Sequence, residues 1–246
     1  MSTEKDRSED KENGEARGTV EGKRIGLFGG TFNPIHLGHL RGAEDIRESF
    51  SLDQVIFLPA AVPPHKDTKN VIDPLPRLEM VRTATETNPF FSVSDVELKR
   101  SGKSYSIDTL RYFRGRQADS FSFILGQDAF AEIETWKEYQ ELFSLCNFIV
   151  MVPSGFEKVS PGARLPAVLA GSFRYHQEGR VWLHESGHTL HFKEIIFLDI
   201  SSTRIRELIE KGKSVKYLVP PEVEAYIRTQ GLYQREQGAK TQKKSA

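Results

Sequence analysis

The chain has 246 residues, with 34 Lys+Arg against 34 Asp+Glu, so no global basic field speaks for nucleic acid and any anion site has to be built locally. The one cysteine, Cys146, excludes an intrachain disulfide and suits a reducing, cytoplasmic setting; its place at the edge of an apolar run marks core filler rather than a nucleophile. No apolar run approaches the ~20 residues needed to span a bilayer, and the acidic first stretch resembles neither a secretory signal nor a mitochondrial presequence.

Residues 1–23 hold Met1, Ala16 and Val20 as their clearly apolar side chains, too few to offset ordering entropy, and a disordered tail is expected there. Residues 24–28 read as a first strand. It runs into Gly29-Gly30-Thr31-Phe32-Asn33-Pro34-Ile35-His36-Leu37-Gly38-His39 and an amphipathic helix over 37–50. A glycine turn opening onto a helix N-terminus presents backbone N–H groups to a phosphate. His36 and His39, three apart in the first turn, face the same way. Such glycines can simply turn a chain, and such histidines can simply decorate a helix end. The whole string directly after a strand favours a polyphosphate site.

Further strands are expected over 54–58, 91–96, 120–125, 148–152 and 194–199, rich in Val, Ile, Leu and Phe as parallel strands covered on both faces are. Helical patterns lie over 74–85, 106–114, 131–143, 202–211 and 221–229, with Gly212 as a stop and Pro220-Pro221 as a start. The alternation predicts an α/β fold: a doubly wound, Rossmann-like, mainly parallel sheet with helices on both faces, formed by 24–233 as a single domain. Residues 234–246 read as a basic disordered tail. Ligands of such sheets bind beyond the carboxyl ends of the strands, where strand order reverses. With an order of 3-2-1-4-5, the first and fourth strands flank that crevice. The fourth ends in Gly126-Gln127-Asp128, whose carboxylate can meet ribose hydroxyls, cap the next helix, or do both.

A second phosphate signal is Ile200-Ser201-Ser202-Thr203-Arg204-Ile205-Arg206, three hydroxyls at a helix start with an arginine one turn in. Capping alone is the bland alternative. Between the last strands, His184-Glu185-Ser186-Gly187-His188 formally matches His-Glu-x-x-His, but Ser186-Gly187 is a poor helix interior. The alternating flanks predict a hairpin turning at Glu185-Ser186-Gly187. A zinc site built from His184, His188 and His191 is the alternative kept open.

Taken together, the stretch from Gly29 to His39 and that from Ile200 to Arg206 resemble the two phosphate motifs of the His-x-Gly-His nucleotidyltransferase superfamily. Pro63-Pro64-His65-Lys66, Ser104-Tyr105-Ser106-Ile107-Asp108-Thr109-Leu110, Ile124-Leu125-Gly126-Gln127-Asp128 with Trp136, and Gly231-Leu232-Tyr233 resemble the bacterial nicotinate-nucleotide adenylyltransferases within it. The resemblance implies transfer of AMP from ATP to nicotinate mononucleotide. A sister enzyme using nicotinamide mononucleotide or another phosphorylated acceptor is the alternative, and a non-catalytic nucleotide sensor a further one.

It further implies His36, His39 and Arg206 as catalytic residues. Gly29, Gly30, Thr31, Phe32, Ser201, Ser202 and Thr203 would complete the ATP site with them, and Lys66, Ser106, Gly126, Asp128 and Trp136 would bind the acceptor. Mg²⁺ would be held mainly by ATP, with no protein metal cage. The partners implied are small molecules, not nucleic acid or membrane, and a homo-oligomer stays open. Asn33 stands where many relatives have Asp, Ser106 where Thr is usual, and 154–193 is a longer segment than the family shows before its last strand.

Overall fold

The alternating apolar runs and amphipathic stretches form one eight-stranded sheet flanked by helices, seen in a computed structural model that describes residues 22–64, 70–115, 119–158 and 160–234. The two expected tails fall almost wholly outside these residues. In chain order the elements begin with β1 (Arg24–Gly30), α1 (Leu37–Ser49), β2 (Gln54–Pro59), α2 (Pro74–Thr85), β3 (Phe91–Val93), α3 (Ser106–Arg114), β4 (Ser120–Gly126), α4 (Gln127–Ala131) and α5 (Tyr139–Leu142). There follow β5 (Asn147–Val152), α6 (Pro161–Arg164), β6 (Phe173–His176), β7 (Val181–His184), β8 (Thr189–Glu194), α7 (Ser202–Glu210) and α8 (Pro221–Thr229). The sheet order is β3-β2-β1-β4-β5-β8-β7-β6, so the expected 3-2-1-4-5 arrangement is present and extended by three strands. β3 through β5 and β8 run parallel; β8, β7 and β6 are antiparallel.

Side chains alternate across the pleat into two cores. Ile25 and Leu27 of β1, Phe121, Phe123 and Leu125 of β4, and Phe148, Val150 and Val152 of β5 pack with Ile107, Leu110 and Phe113 of α3. Phe28, Val55, Phe57, Ile124 and Ile149 pack on the other face, against Ala43 and Ile46 of α1, Met80 and Val81 of α2, Ile205 of α7, and Val223 and Ile227 of α8. Covering both faces explains why these strands read as continuous apolar runs. Gly26 is a close-approach position: a Cβ there would lie 2.7 Å from Ile124 Cδ1 and 2.9 Å from Leu52 Cδ1.

Two expected elements differ. The last parallel strand is β8, Thr189–Glu194, not 194–199. Ile195 N–H makes a closing sheet bond to the Val152 carbonyl (3.2 Å), and the next amide, Ile196 N–H, goes instead to Asp45 Oδ2 on α1 (2.6 Å). With the ladder ended, Ile196 and Phe197 stand exposed at 60% and 58%. The helix expected over 131–143 is broken into α4, a 3-10 turn at Ile133–Thr135, and α5. Trp136 adopts an extended conformation (φ −78°, ψ 141°) and Glu138 a left-handed one (φ 54°), so no continuous helix can pass through them. The apolar spacing was met all the same, because Phe130, Ile133, Leu142 and Phe143 all reach the core.

The hairpin is present. β7 and β8 are joined through the turn expected at Glu185-Ser186-Gly187, with Gly187 at φ 90° and the His184 amide bonded to the His188 carbonyl (2.8 Å). The three histidines kept open as an alternative zinc site do not all come together. His184 is buried against Phe143 and Phe173 on one face of the sheet, whereas His191 meets Phe50 edge-on, beside the core of the other face. His184 Nδ1 pairs with Ser186 Oγ (2.8 Å), a turn-closing contact.

Candidate functional site

The loop after β1 and the opening of α7, about 170 residues apart in sequence, meet directly. Arg206 Nη1 donates to the Asn33 carbonyl (2.8 Å), and Ser202 Oγ donates to the Pro34 carbonyl (2.8 Å). Arg206 Nη2 also reaches Thr203 Oγ1 (3.2 Å), and Ser201 caps α7 by accepting from Arg204 N–H (3.2 Å). The three hydroxyls are thus first of all structural ties. Arg206 keeps further donors, since a guanidinium has five.

His36 is the N-cap of α1 and 6% exposed. Its ring stacks on that of His39, with centroids 3.6 Å apart. Burial pulls the His36 pKa from 6.5 down to about 4, so the ring is neutral at pH 7. Its Nδ1 is buried and has no hydrogen-bond partner among the described residues. The His36 amide donates to His39 Nδ1 (3.2 Å), so the proton of a neutral His39 ring sits on Nε2. Gly38 lets the first ring lie this close: a Cβ there would be 3.0 Å from His36 Nδ1 and 3.4 Å from the Leu198 carbonyl. Phe32, buried at φ 46°, sits edge-on to His39 with centroids 5.2 Å apart. A bulky residue in the left-handed region is strain held by its surroundings, as is common at working sites.

The structure refines the expectation of spare amides at the α1 opening. His36 N–H goes to His39, Leu37 N–H to the Leu218 carbonyl (3.0 Å), and His39 and Leu40 N–H to the His36 carbonyl (3.0 and 3.3 Å). The donors suited to a phosphate here are therefore ring N–H groups and the Arg206 guanidinium, more than the α1 amides.

Beside this junction, at the carboxyl ends of β1, β2 and β4, lies a cleft of about 370 Å³. Gly29, Gly30, Thr31, Ser106, Gly126, Asp128 and Trp136, all expected at the site, line it. Gly30 has no room for a side chain, because a Cβ would come 2.7 Å from the Phe32 ring. Trp136 packs edge-on against Phe123, with centroids 6.3 Å apart. Ser106 opens α3 at the cleft, and Asp128 lies in the first turn of α4, exposed. Lys66 lies outside the described residues.

Two residues at the site, Arg77 and Glu97, escape a reading of the sequence, and a third, Tyr233, is named in the string Gly231-Leu232-Tyr233 without a role. Arg77 on α2 is completely buried and donates to carbonyls of both loops that bound the cleft. A signal was available: Arg77, Met80, Val81 and Ala84 follow helical spacing and share the inward face. Glu97 is 7% exposed in the cleft wall. Burial pushes its carboxyl up, against hydrogen bonds from Thr109 and Ser104 and the charges of Arg100 and Arg77. Tyr233 donates to Asn33 Oδ1 (2.9 Å), while Asn33 Nδ2 donates to the Asn70 carbonyl (2.8 Å). Nothing in the local sequence announces these last two contacts.

Residues 27–208 match the family described as cytidylyltransferase-like. A curated protein of Geobacter metallireducens, described as a probable nicotinate-nucleotide adenylyltransferase, is 48% identical over 211 residues, covering 85% of this chain and 98% of its own length. One of Syntrophotalea carbinolica with the same description is 44% identical over 215 residues, 87% of this chain and 99% of its own. Among solved structures, the nicotinic acid mononucleotide adenylyltransferase of Plasmodium falciparum complexed with NaAD superposes with a TM-score of 0.65 at 19% identity, over 86% of this chain and 97% of that one. At that identity the likeness is one of fold.

Proposed function

Because this chain belongs to the cytidylyltransferase-like family and, within it, to the nicotinate-nucleotide adenylyltransferases, we infer that it transfers the adenylyl group of ATP to nicotinate mononucleotide. The products are nicotinate adenine dinucleotide and pyrophosphate, in the biosynthesis of NAD. The observation that carries this reading is the stitched junction of Arg206 with Asn33 and of Ser202 with Pro34, which gathers both phosphate motifs beside one cleft.

The attacking group is a phosphate monoester whose second pKa near ~6 leaves it largely ionised at neutral pH, so no strong general base is required. The barrier lies in aligning two anions and in spreading the charge that develops on the α-phosphate and the departing pyrophosphate. We assign the α-phosphate to His36 and His39. The two rings are stacked on each other; burial keeps His36 neutral, and the bond from the His36 amide to His39 Nδ1 leaves His39 Nε2–H as the donor. Neutral donors fixed in place stabilise charge without reorganising as it forms. Arg206, with the Ser201, Ser202 and Thr203 opening of α7, takes the β,γ end, where its spare donors and the helix dipole favour a polyanion. Gly29, Gly30, Thr31 and Phe32 shape the approach of ATP.

On the acceptor side, Trp136 would stack on the pyridine ring, Ser106 and the α3 opening would take its carboxylate, and Gly126 with Asp128 would lie along the sugars. Lys66 would meet the mononucleotide phosphate. Among the described residues no three His, Cys, Asp or Glu side chains gather as a cage. Mg²⁺ would come in on the phosphates of ATP and help to neutralise their charge. We take the partners to be these small molecules rather than nucleic acid or a membrane. No helix among the described residues is long and apolar enough to cross a membrane. We propose a cytoplasmic setting, in keeping with a single, free cysteine.

The test is pyrophosphate release by purified protein with ATP, Mg²⁺ and a panel of acceptors: nicotinate mononucleotide, nicotinamide mononucleotide and pantetheine phosphate. Release with the first, at kcat/KM well above the others, is expected. Preference for another acceptor would move the chain to a sister activity, and ATP binding without release would leave a sensor.

A further inference from the structure

Arg77 makes four hydrogen bonds, all to backbone carbonyls and none within its own helix. Nη1 donates to Thr31 O (2.8 Å) and Ala60 O (2.6 Å), Nη2 to Ala61 O (2.9 Å), and Nε to Ile72 O (3.0 Å). Thr31 belongs to the loop after β1, on the ATP side, while Ala60 and Ala61 begin the loop after β2, on the acceptor side. Thr31 and Ala60 both line the cleft. The connection continues across it. Ala61 N–H and Val62 N–H donate to Ser104 Oγ (2.8 and 3.4 Å), and Ser104 N–H donates back to the Val62 carbonyl (2.9 Å). Ser104 stands two residues before Ser106, where α3 opens onto the cleft.

A guanidinium taken wholly out of water is a poor device for stability alone, because an apolar side chain of similar volume commonly serves as well or better. What an apolar side chain cannot do is hold three strands of backbone at fixed mutual angles, which a planar five-donor fork does. The ATP-side loop has other ties: Arg206 and Ser202 hold its carbonyls and Tyr233 holds Asn33. For the carbonyls of Ala60 and Ala61 the described tie is Arg77.

We propose that Arg77 is a positioning residue that sets the spacing between the ATP-side and acceptor-side loops and, through Ala61 and Ser104, places the α3 opening that receives the acceptor. This rests on the adenylyl-transfer reading above. The consequence is asymmetric: disturbing Arg77 should loosen the acceptor and its alignment while leaving ATP binding nearly intact.

The test compares wild type, Arg77→Lys, Ser104→Ala and the double variant, each first checked for native circular dichroism, by initial-rate kinetics in both substrates. If wild type releases no pyrophosphate with nicotinate mononucleotide, the reaction reading falls and this proposal with it. With wild type active, Arg77→Lys keeps the charge but loses the fork. It is expected to raise KM for the mononucleotide about tenfold and lower kcat by ~10- to 10²-fold, with KM for ATP within about threefold. Ser104→Ala should reproduce the rise in acceptor KM, and the double variant should be no worse than Arg77→Lys alone, as expected of residues acting through one path. An unchanged acceptor KM in either single variant, equal changes in both KM values, or single effects that multiply in the double variant would overturn the proposal. Should Arg77→Lys fail to fold, Ser104→Ala decides: a selective rise in acceptor KM sustains the proposal, and its absence ends it.

Discussion

The two sides of the cleft are built by different means. The ATP side is clasped by side chains reaching across 168, 173 and 200 positions of sequence: Ser202 to Pro34, Arg206 to Asn33, and Tyr233 to Asn33. Its two histidines are stacked, and one, His36, is buried. The proposed acceptor side includes short pieces: a five-residue α4, a three-residue 3-10 turn and a four-residue α5. Charge stabilisation demands fixed donors, because a donor that must move as charge forms loses most of its benefit. Recognition of a flat ring asks for a surface and an edge, which short elements can supply. One scaffold can therefore keep its phosphate chemistry while its acceptor changes.

The sharpest way to break this contrast is to remove a donor from the clasped side. His39→Ala or Arg206→Ala is expected to lower kcat by ~10²- to 10³-fold with the fold retained, read by pyrophosphate release and circular dichroism. Near-normal turnover in either would take that residue out of the chemistry.

Next in size is an effect of pH on stability. The His36 pKa falls from 6.5 in an exposed chain to about 4 when folded, so the unfolded state binds a proton first as pH drops. Stability is intact above about pH 6.5 and is lost as pH falls toward about 4, by up to roughly 3 kcal/mol from this ring. His184, His188 and His191 are shifted the same way by burial, so the measurement is a difference. Urea unfolding of wild type and His36→Asn at pH 7.5 and pH 4.5 should show the smaller loss in the variant. Equal losses would mean the ring charges freely in the folded state.

On the proposed acceptor side the next test is Trp136. Trp136→Ala should raise KM for nicotinate mononucleotide about tenfold and leave KM for ATP within about twofold. A parallel rise in both would erase the division between the two sides. Smallest is Tyr233→Phe, which deletes only the hydroxyl bonded to Asn33. It should cost about 1 kcal/mol, a fall in Tm of a few degrees by calorimetry, with both KM values little changed.

Legibility in the sequence follows the same division. The order of elements and the switch point could be read, because apolar runs and glycine turns are local signals. Gly29 to His39 and Ile200 to Arg206 could be read for the same reason, whereas the contacts by which they meet, Ser202 to Pro34 and Arg206 to Asn33, could not. Trp136 could be named but not its setting, since the spacing of Phe130, Ile133, Leu142 and Phe143 suits one helix as well as three fragments. The displaced β8 had a similar origin: Ile195 to Ile200 is as apolar as a strand, but Asp45 on α1 takes the amide that the sheet needs. Arg77 was hidden because arginine in an amphipathic helix is normally a surface residue, and the carbonyls that bury it come from loops far away in sequence. The spacing of Arg77 with Met80, Val81 and Ala84 marks it as facing inward, but not which carbonyls it satisfies.

The Tyr233–Asn33 contact has a bearing on how the molecule is made. Synthesis proceeds from the N-terminus, so the first glycine turn emerges from the ribosome long before the residue that fastens it. The half-made chain can pair β1 with β2 and β4, yet it lacks α7 and the tyrosine that close the nucleotide end. A nascent polypeptide therefore cannot complete these ties around the first glycine turn until α7 and Tyr233 have been made.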